Sequence, residues 1–96
     1  MNIIDIWMSQ STLYRSEQIP TFIDILSNGL YLDPITLIKN SKNEIQVEDG
    51  HHRLSAIWLT GRKTIQEHEY IIVYKEFWKP NICKIEFIVE RKNNGR

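Results

Sequence analysis

Cysteine is nearly absent from the sequence, because Cys83 is the only one among 96 residues. A single thiol excludes an intramolecular disulfide and a zinc site built from several thiolates. Long apolar runs are also lacking, since none approaches the roughly 20 residues that a membrane-spanning helix requires. The N-terminus has neither the basic start nor the long apolar segment of a signal peptide. These absences predict a cytoplasmic protein that has no membrane partner.

An excess of charge of either sign is missing as well, since twelve Lys and Arg residues balance twelve Asp and Glu residues. Proteins that bind duplex DNA usually carry a basic excess or a basic stripe. Nucleic acid is therefore an open but disfavoured partner, and the basic residues within 91–96 form only a short tail. Hydrophobic residues make up 42% of the chain and charged residues 25%. This composition predicts one small globular domain over residues 1–96.

Apolar periodicity and turn residues predict two helices and five strands. The first helix is expected from Ile19 or Pro20 to Asn28, with Gly29 as its stop. The second helix follows Gly50 and ends near Gly61. The order β-α-β-β-α-β-β predicts a small single-domain α+β fold with a mixed sheet. Strands are predicted at residues 3–8, 34–38, 44–47, 69–74 and 84–90, the second and third of them forming a hairpin.

The strongest chemical signal is the sequence Asp-Gly-His-His-Arg at a predicted strand-to-helix junction. The first backbone N–H groups of a helix have no internal partner and carry the positive end of its dipole, which favours bound phosphate. Glycine lets an anion approach the backbone, histidine donates hydrogen bonds, and arginine can clamp two phosphate oxygens. The residues predicted to bind phosphate are Gly50, His51, His52 and Arg53.

Asp49, at the carboxyl end of the strand, could anchor Mg²⁺ or accept a proton from a hydroxyl. Structural interpretations of the same residues remain open. Asp49 could cap the helix, and Arg53 could be a surface ion-pair partner. His51 shares a helix face with Leu54 and Trp58, so it could be a packed, hydrogen-bonded histidine. Adjacent histidines point about 100° apart on a helix, so a transition-metal site is not expected.

In order and spacing these motifs resemble the ParB/sulfiredoxin superfamily. The family pattern is a helix ending near glycine, a Pro-Ile strand, a hairpin, and a Gly-x-x-Arg turn that opens a helix. The match covers roughly residues 15–74 and implies a ParB/sulfiredoxin-like fold that binds nucleotide phosphates at the turn. The stretches that carry it are Ile25–Leu30, Asp33–Leu37, Val47–Ala56 and Thr60-Gly61.

Differences between this sequence and the motifs of the superfamily's branches indicate which branch it resembles most. Sulfiredoxins need a cysteine in the turn, where this sequence has His51 and His52, so that activity is not expected. Partition proteins typically have Gly-Glu-Arg-Arg there, with DNA-binding and dimerisation segments for which 96 residues leave no room. Free serine kinases carry Asp-Gly-His-His-Arg and a glutamate in a turn before the first helix, a motif similar to Leu13–Glu17. The resemblance implies Asp49, Glu17 and His52 as catalytic residues, although Glu17 could simply favour the start of the helix.

The expected activity is phosphotransfer or hydrolysis that uses the phosphates of ATP, ADP or CTP, with Mg²⁺ as a second cofactor. The acceptor would be a small molecule or a protein. Free serine kinases are much longer than 96 residues, with added segments that help to form the amino-acid pocket, so a different acceptor is also open. The alternative is a non-enzymatic ParB-like regulator that binds DNA or protein. Nuclease activity is less expected, because the sequence has no dense acidic metal cluster. Whether the domain forms a homodimer stays open.

Overall fold

The computed structural model describes residues 1–88, which form a five-stranded mixed sheet and two nine-residue α-helices. Strand β2 pairs antiparallel with β3 and parallel with β4, whereas β1 pairs parallel with β3 and antiparallel with β5. The order across the sheet is β4-β2-β3-β1-β5. This confirms the predicted α+β class. The elements are β1 (Ile6–Met8), α1 (Ile19–Ser27), β2 (Ile35–Lys39), β3 (Ile45–Asp49), α2 (His51–Leu59), β4 (Tyr70–Tyr74) and β5 (Cys83–Lys84).

The boundaries of the two helices follow from proline and glycine. Helix α1 begins at Ile19 with Pro20 in its first turn, where the missing N–H costs no hydrogen bond. It ends before Gly29, whose φ of +73° lets the Leu30 N–H turn back onto the Ile25 carbonyl at 3.1 Å. Gly61, with φ +94°, follows the end of α2, and its N–H donates to the Trp58 carbonyl at 3.0 Å.

The two helices pack against each other, and α2 also contacts the sheet at β2. Leu54 and Ile57 of α2 are buried, as their spacing predicts, whereas Trp58 is only partly buried beneath the Lys63 ammonium. No helix among residues 1–88 is long and apolar enough to cross a bilayer. The buried core residues are Ile3, Ile6, Met8, Leu13, Ile19, Ile35, Leu37, Val47, Leu54, Ala56, Ile57, Ile65, Ile85 and Ile88.

The strand predicted at residues 84–90 is wrong over residues 85–88, which are helical; residues 89–90 and the tail at 91–96 lie outside the described residues. Ile85 and Ile88, three positions apart, are both buried, while Phe87 is 49% exposed. That spacing suits a helical turn rather than a strand. Strand β5 also ends at Lys84, paired with Trp7 of the three-residue β1.

The first predicted strand is shorter than residues 3–8, because Ile3–Asp5 forms a 3-10 helix and only Ile6–Met8 is extended. The Ile3 N–H donates to the Lys63 carbonyl at 2.9 Å, and the Asp5 N–H donates to the Asn2 carbonyl at 3.1 Å. The second bond closes a turn before the chain enters the sheet, and the first joins that turn to the segment after α2.

Candidate functional site

The Asp-Gly-His-His-Arg sequence lies where β3 ends and α2 begins, as the sequence predicts. Gly50 joins the two elements with φ +110° and ψ 25°. The Leu54 N–H donates to the Gly50 carbonyl at 2.9 Å, so the N–H groups of the three residues before Leu54 precede the first intrahelical bond. Gly50, as the N-cap residue, has no side chain that could cap this helix start. The turn therefore offers backbone donors to an anion.

Gly50 leaves little room for a side chain. A Cβ built there would lie 3.1 Å from Ile35 Cγ1 and 3.2 Å from Arg53 Nη2. Glycine thus serves two purposes at this position, because it supplies the positive φ and lets Ile35 and the guanidinium pack against the bare backbone.

Arg53 ties the start of α2 to the segment that precedes β2. Its Nη1 donates to the carbonyls of Asp33 and Pro34, each at 3.1 Å, and its Nη2 donates to Asp49 Oδ2 at 3.1 Å. The Arg53 side chain is only 16% exposed, so the predicted surface ion pair has one largely buried partner. A guanidinium has five N–H groups, and these three bonds to described residues leave two for an anion.

Asp49 does not cap α2, since its carboxylate accepts from Arg53 and its side chain is 76% exposed. An exposed carboxylate beside a helix start can take a proton or one coordination position of Mg²⁺. Among residues 1–88 no group of three or more His, Cys, Asp and Glu side chains could hold a metal ion. Mg²⁺ at Asp49 would therefore take its further ligands from water and phosphate oxygens.

His51 is buried, with 7% of its surface exposed. Its Nε2 accepts from the Ser9 N–H at 3.2 Å, which places the proton of the neutral ring on Nδ1. Burial is the main cause that lowers the pKa of His51 to about 4, with the charges of His52 and Lys79 acting in the same direction. The His51 side chain is thus a packed, hydrogen-bonded histidine, as one interpretation of the sequence holds. The His51 backbone N–H still lies at the start of α2.

The His52 side chain joins the turn to a second segment of the chain, at Arg15. Its Nε2 accepts from the Arg15 N–H at 2.9 Å, so the Nδ1–H of the neutral ring is a donor. Burial lowers the pKa of His52, while the Glu17 carboxylate raises it and Arg15 lowers it. The histidine therefore stays neutral near pH 7 and can donate without carrying charge.

Glu17 lies in a 3-10 helix, Ser16–Gln18, that leads directly into α1. Its carboxylate accepts from Arg15 Nε at 3.4 Å, and its side chain is 70% exposed. A hydrogen bond from backbone N–H, with smaller contributions from Arg15 and His52, lowers the pKa of Glu17. The structure thus brings an ionised carboxylate into the electrostatic range of His52.

Sequence reasoning did not identify Ser9 and Arg15 as the partners of the two histidines. Each donates a backbone N–H, a group that every residue except proline carries, so residue type gave no signal. The separations are 42 and 37 residues, which also places these contacts beyond any local pattern.

A separate cavity of about 310 Å³ lies at the C-terminal ends of α1 and α2, lined among others by Leu26, Tyr31 and Arg62. The Arg62 guanidinium donates to Glu69 at 2.8 Å and lowers the pKa of that carboxyl group. The charges in this cavity therefore neutralise each other. The predicted phosphate-binding residues are at the opposite end of α2.

No protein-family model matches the chain, and neither a curated protein nor a solved structure shows significant similarity to it.

The buried His51 should make the protein less stable as the pH falls from about 6.5 to about 4. Its pKa is lowered in the folded state, so in this window the unfolded chain binds the proton more readily and protonation favours unfolding. We expect a loss of up to roughly 3 kcal/mol. Urea denaturation at pH 7, 6 and 5 measures the slope, which His51→Gln should flatten.

The control for this prediction is His68→Gln, which removes an exposed histidine. That variant should keep the slope of the unchanged protein. A slope that persists in His51→Gln would show that another group causes the acid sensitivity.

Proposed function

We propose that the chain is a ParB/sulfiredoxin-like nucleotide-binding domain that holds the phosphates of ATP, ADP or CTP at the start of α2. The observation that carries the proposal is the 2.9 Å hydrogen bond from the Arg15 N–H to His52 Nε2. It joins the two motifs on which the resemblance to free serine kinases depends, the glutamate turn and the Asp-Gly-His-His-Arg turn. Two motifs that are remote in sequence are thus neighbours in space.

The phosphate groups would be held by the chain's own donors. The backbone N–H groups of His51, His52 and Arg53 precede the first intrahelical bond, and a helix start favours negative charge. Two remaining N–H groups of the Arg53 guanidinium add charge-assisted donors. Because Arg53 is anchored on the carbonyls of Asp33 and Pro34, its guanidinium is already oriented.

A bound nucleotide would supply the phosphoryl group and leave with one phosphate fewer, and Asp49 would hold Mg²⁺, which would supply positive charge to the phosphates. Asp49 is exposed and would accept the proton of the attacking hydroxyl or hold the cation. Glu17, also exposed and ionised, would orient the acceptor, and the Nδ1–H of His52 would donate to a phosphate oxygen. The acceptor is a hydroxyl of a small molecule or protein in phosphotransfer, and water in hydrolysis.

Nucleotide binding should raise the melting temperature of the full chain. A ligand at about 100 times its Kd stabilises a protein by about 2.7 kcal/mol, equivalent to roughly 10–20 °C for a domain of this size. Thermal melts should be compared for ATP, ADP, CTP and GTP, with and without Mg²⁺. Adenosine, which lacks phosphate, should give a much smaller shift.

A matched pair of variants tests whether the shift arises at the proposed turn. His52→Ala should reduce the shift, whereas His68→Ala, which changes an exposed histidine elsewhere, should keep it. No shift with any nucleotide would contradict the proposal. If the protein instead binds DNA, with an affinity that falls steeply as the salt concentration rises, the alternative of a non-enzymatic DNA-binding regulator would be favoured.

A further inference from the structure

Strand β4 lies at one edge of the sheet, where its outer side pairs with no strand among residues 1–88. The Lys75 N–H donates to the Lys39 carbonyl of β2 at 3.2 Å, so Lys75 faces β2. Backbone groups alternate between the two sides of a strand. Tyr70, Ile72 and Tyr74 therefore point their N–H and C=O groups outward, ready to bond another strand.

The sequence of β4 is nearly the same in both directions, Tyr-Ile-Ile-Val-Tyr. If a second copy lies antiparallel with Ile72 opposite its own counterpart, Tyr70 of each copy faces Tyr74 of the other. All three are outward-pointing residues, and each such pair exchanges two hydrogen bonds, about six in total. A shift by two residues in either direction would leave only two such pairs, so this register is the most favourable.

The same register brings together the exposed apolar side chains of the strand. Ile71 is 55% exposed and Val73 is 37% exposed, although both are large and β-branched. In the centred register, Ile71 of each copy lies opposite Val73 of the other as a non-hydrogen-bonded pair, where side chains approach most closely. Pairing would therefore remove apolar surface from water on both copies.

The charges that flank β4 favour the antiparallel direction. Glu69 precedes the strand and is paired with Arg62, whereas Lys75 follows it and is paired with Glu48. Antiparallel pairing would bring the lysine of one copy next to the acid of the other, in addition to these pairs within each copy. Parallel pairing in register would place like charges together. Edge strands that avoid association usually carry a charge, a proline or a bulge, and Tyr70–Tyr74 contains no charged residue and no proline.

We propose that two copies of the chain associate through β4, antiparallel and centred on Ile72, to form a continuous ten-stranded sheet. The two-fold pairing uses the same edge on both copies, so it closes at a dimer. The opposite edge is the two-residue β5, Cys83–Lys84, which is too short to continue the sheet by the same means.

Sedimentation equilibrium of the full chain tests the proposal, with an expected mass of twice 11.4 kDa at high concentration. The double variant Ile71→Lys/Val73→Lys should be monomeric, because it places two lysines opposite each other at both cross-strand pairs. Ile71→Lys/Val73→Glu should restore the dimer, since the same pairs then have opposite charges. Ile4→Lys, which charges an exposed apolar residue outside β4, should leave the dimer unchanged.

A second variant keeps the test decisive if the paired lysines disturb folding, which circular dichroism would detect. Tyr74→Pro removes one outward N–H of a 74% exposed residue and leaves the bonds to β2 in place. It should weaken dimerisation at least tenfold. A wild-type chain that stays monomeric up to about 1 mM, or that forms oligomers larger than a dimer, would overturn the proposal. So would a folded lysine double variant that still dimerises.

Discussion

Replacing Gly50 with alanine is expected to lower the free energy of unfolding by about 4 kcal/mol. Two costs add at this position. An L residue is strained at φ +110°, and the new Cβ would lie 3.1–3.2 Å from two carbons of Ile35 and from Arg53 Nη2. Ile35 is 1% exposed and has little space in which to move. For a domain of this size the loss corresponds to a fall in Tm of roughly 15–30 °C.

The matched control for Gly50→Ala is Gly61→Ala. Gly61 has φ +94°, but a Cβ there would meet no atom within 4 Å. That variant should therefore lose only the cost of backbone strain, about 1–2 kcal/mol. Urea denaturation of both variants separates the two costs. Equal losses would contradict the idea that the contact with Ile35 and Arg53 makes Gly50 special.

The sequence predicts those features of the fold that individual residues determine locally. Pro20 marks the start of α1 because its φ is fixed, and Gly29 marks the end because it readily adopts φ +73°. The hairpin of β2 and β3 is likewise predictable from two short apolar runs separated by a polar turn. In each case the signal and the structure it produces lie within a few residues of each other.

The strand order and the C-terminal turn could not be predicted in this way. Strand β1 lies between β3 and β5, and both neighbours are remote in sequence. The alternation after Cys83 favours a strand, but the partner β1 provides only three residues, and the burial of Ile85 and Ile88 requires helical spacing. Tertiary packing therefore overrides the local β preference there.

The candidate site likewise has one part that the sequence predicts and one part that it does not. Residue types and spacing predict that Asp49, Gly50 and Arg53 meet at a strand-to-helix junction, and the structure has them there. The partners that orient these residues are not predictable, because they are backbone groups of distant residues. The carbonyls of Asp33 and Pro34 hold Arg53, and no sequence motif specifies such a contact.

Asp49→Asn is expected to reduce nucleotide turnover at least about 100-fold, on the proposed function, while the protein stays folded. An amide can neither accept the proton of an attacking hydroxyl nor bind Mg²⁺ as a carboxylate does. It can still accept the hydrogen bond from Arg53 Nη2 through its Oδ1. Because the Asp49–Arg53 pair is largely exposed on the aspartate side, its charge contributes no more than about 1 kcal/mol to stability.

The control for the loss of turnover is Asp33→Asn, which makes the same chemical change at an exposed residue whose contact with Arg53 is through the backbone carbonyl. That variant should retain turnover, since the carbonyl is unaffected. Steady-state phosphate release from ATP and CTP, together with urea denaturation, measures both properties. Full turnover in Asp49→Asn would remove Asp49 from the mechanism and leave Glu17 as the carboxylate to test next. Loss of turnover in both variants would instead indicate that the charge near Arg53, rather than proton transfer at Asp49, sets the rate.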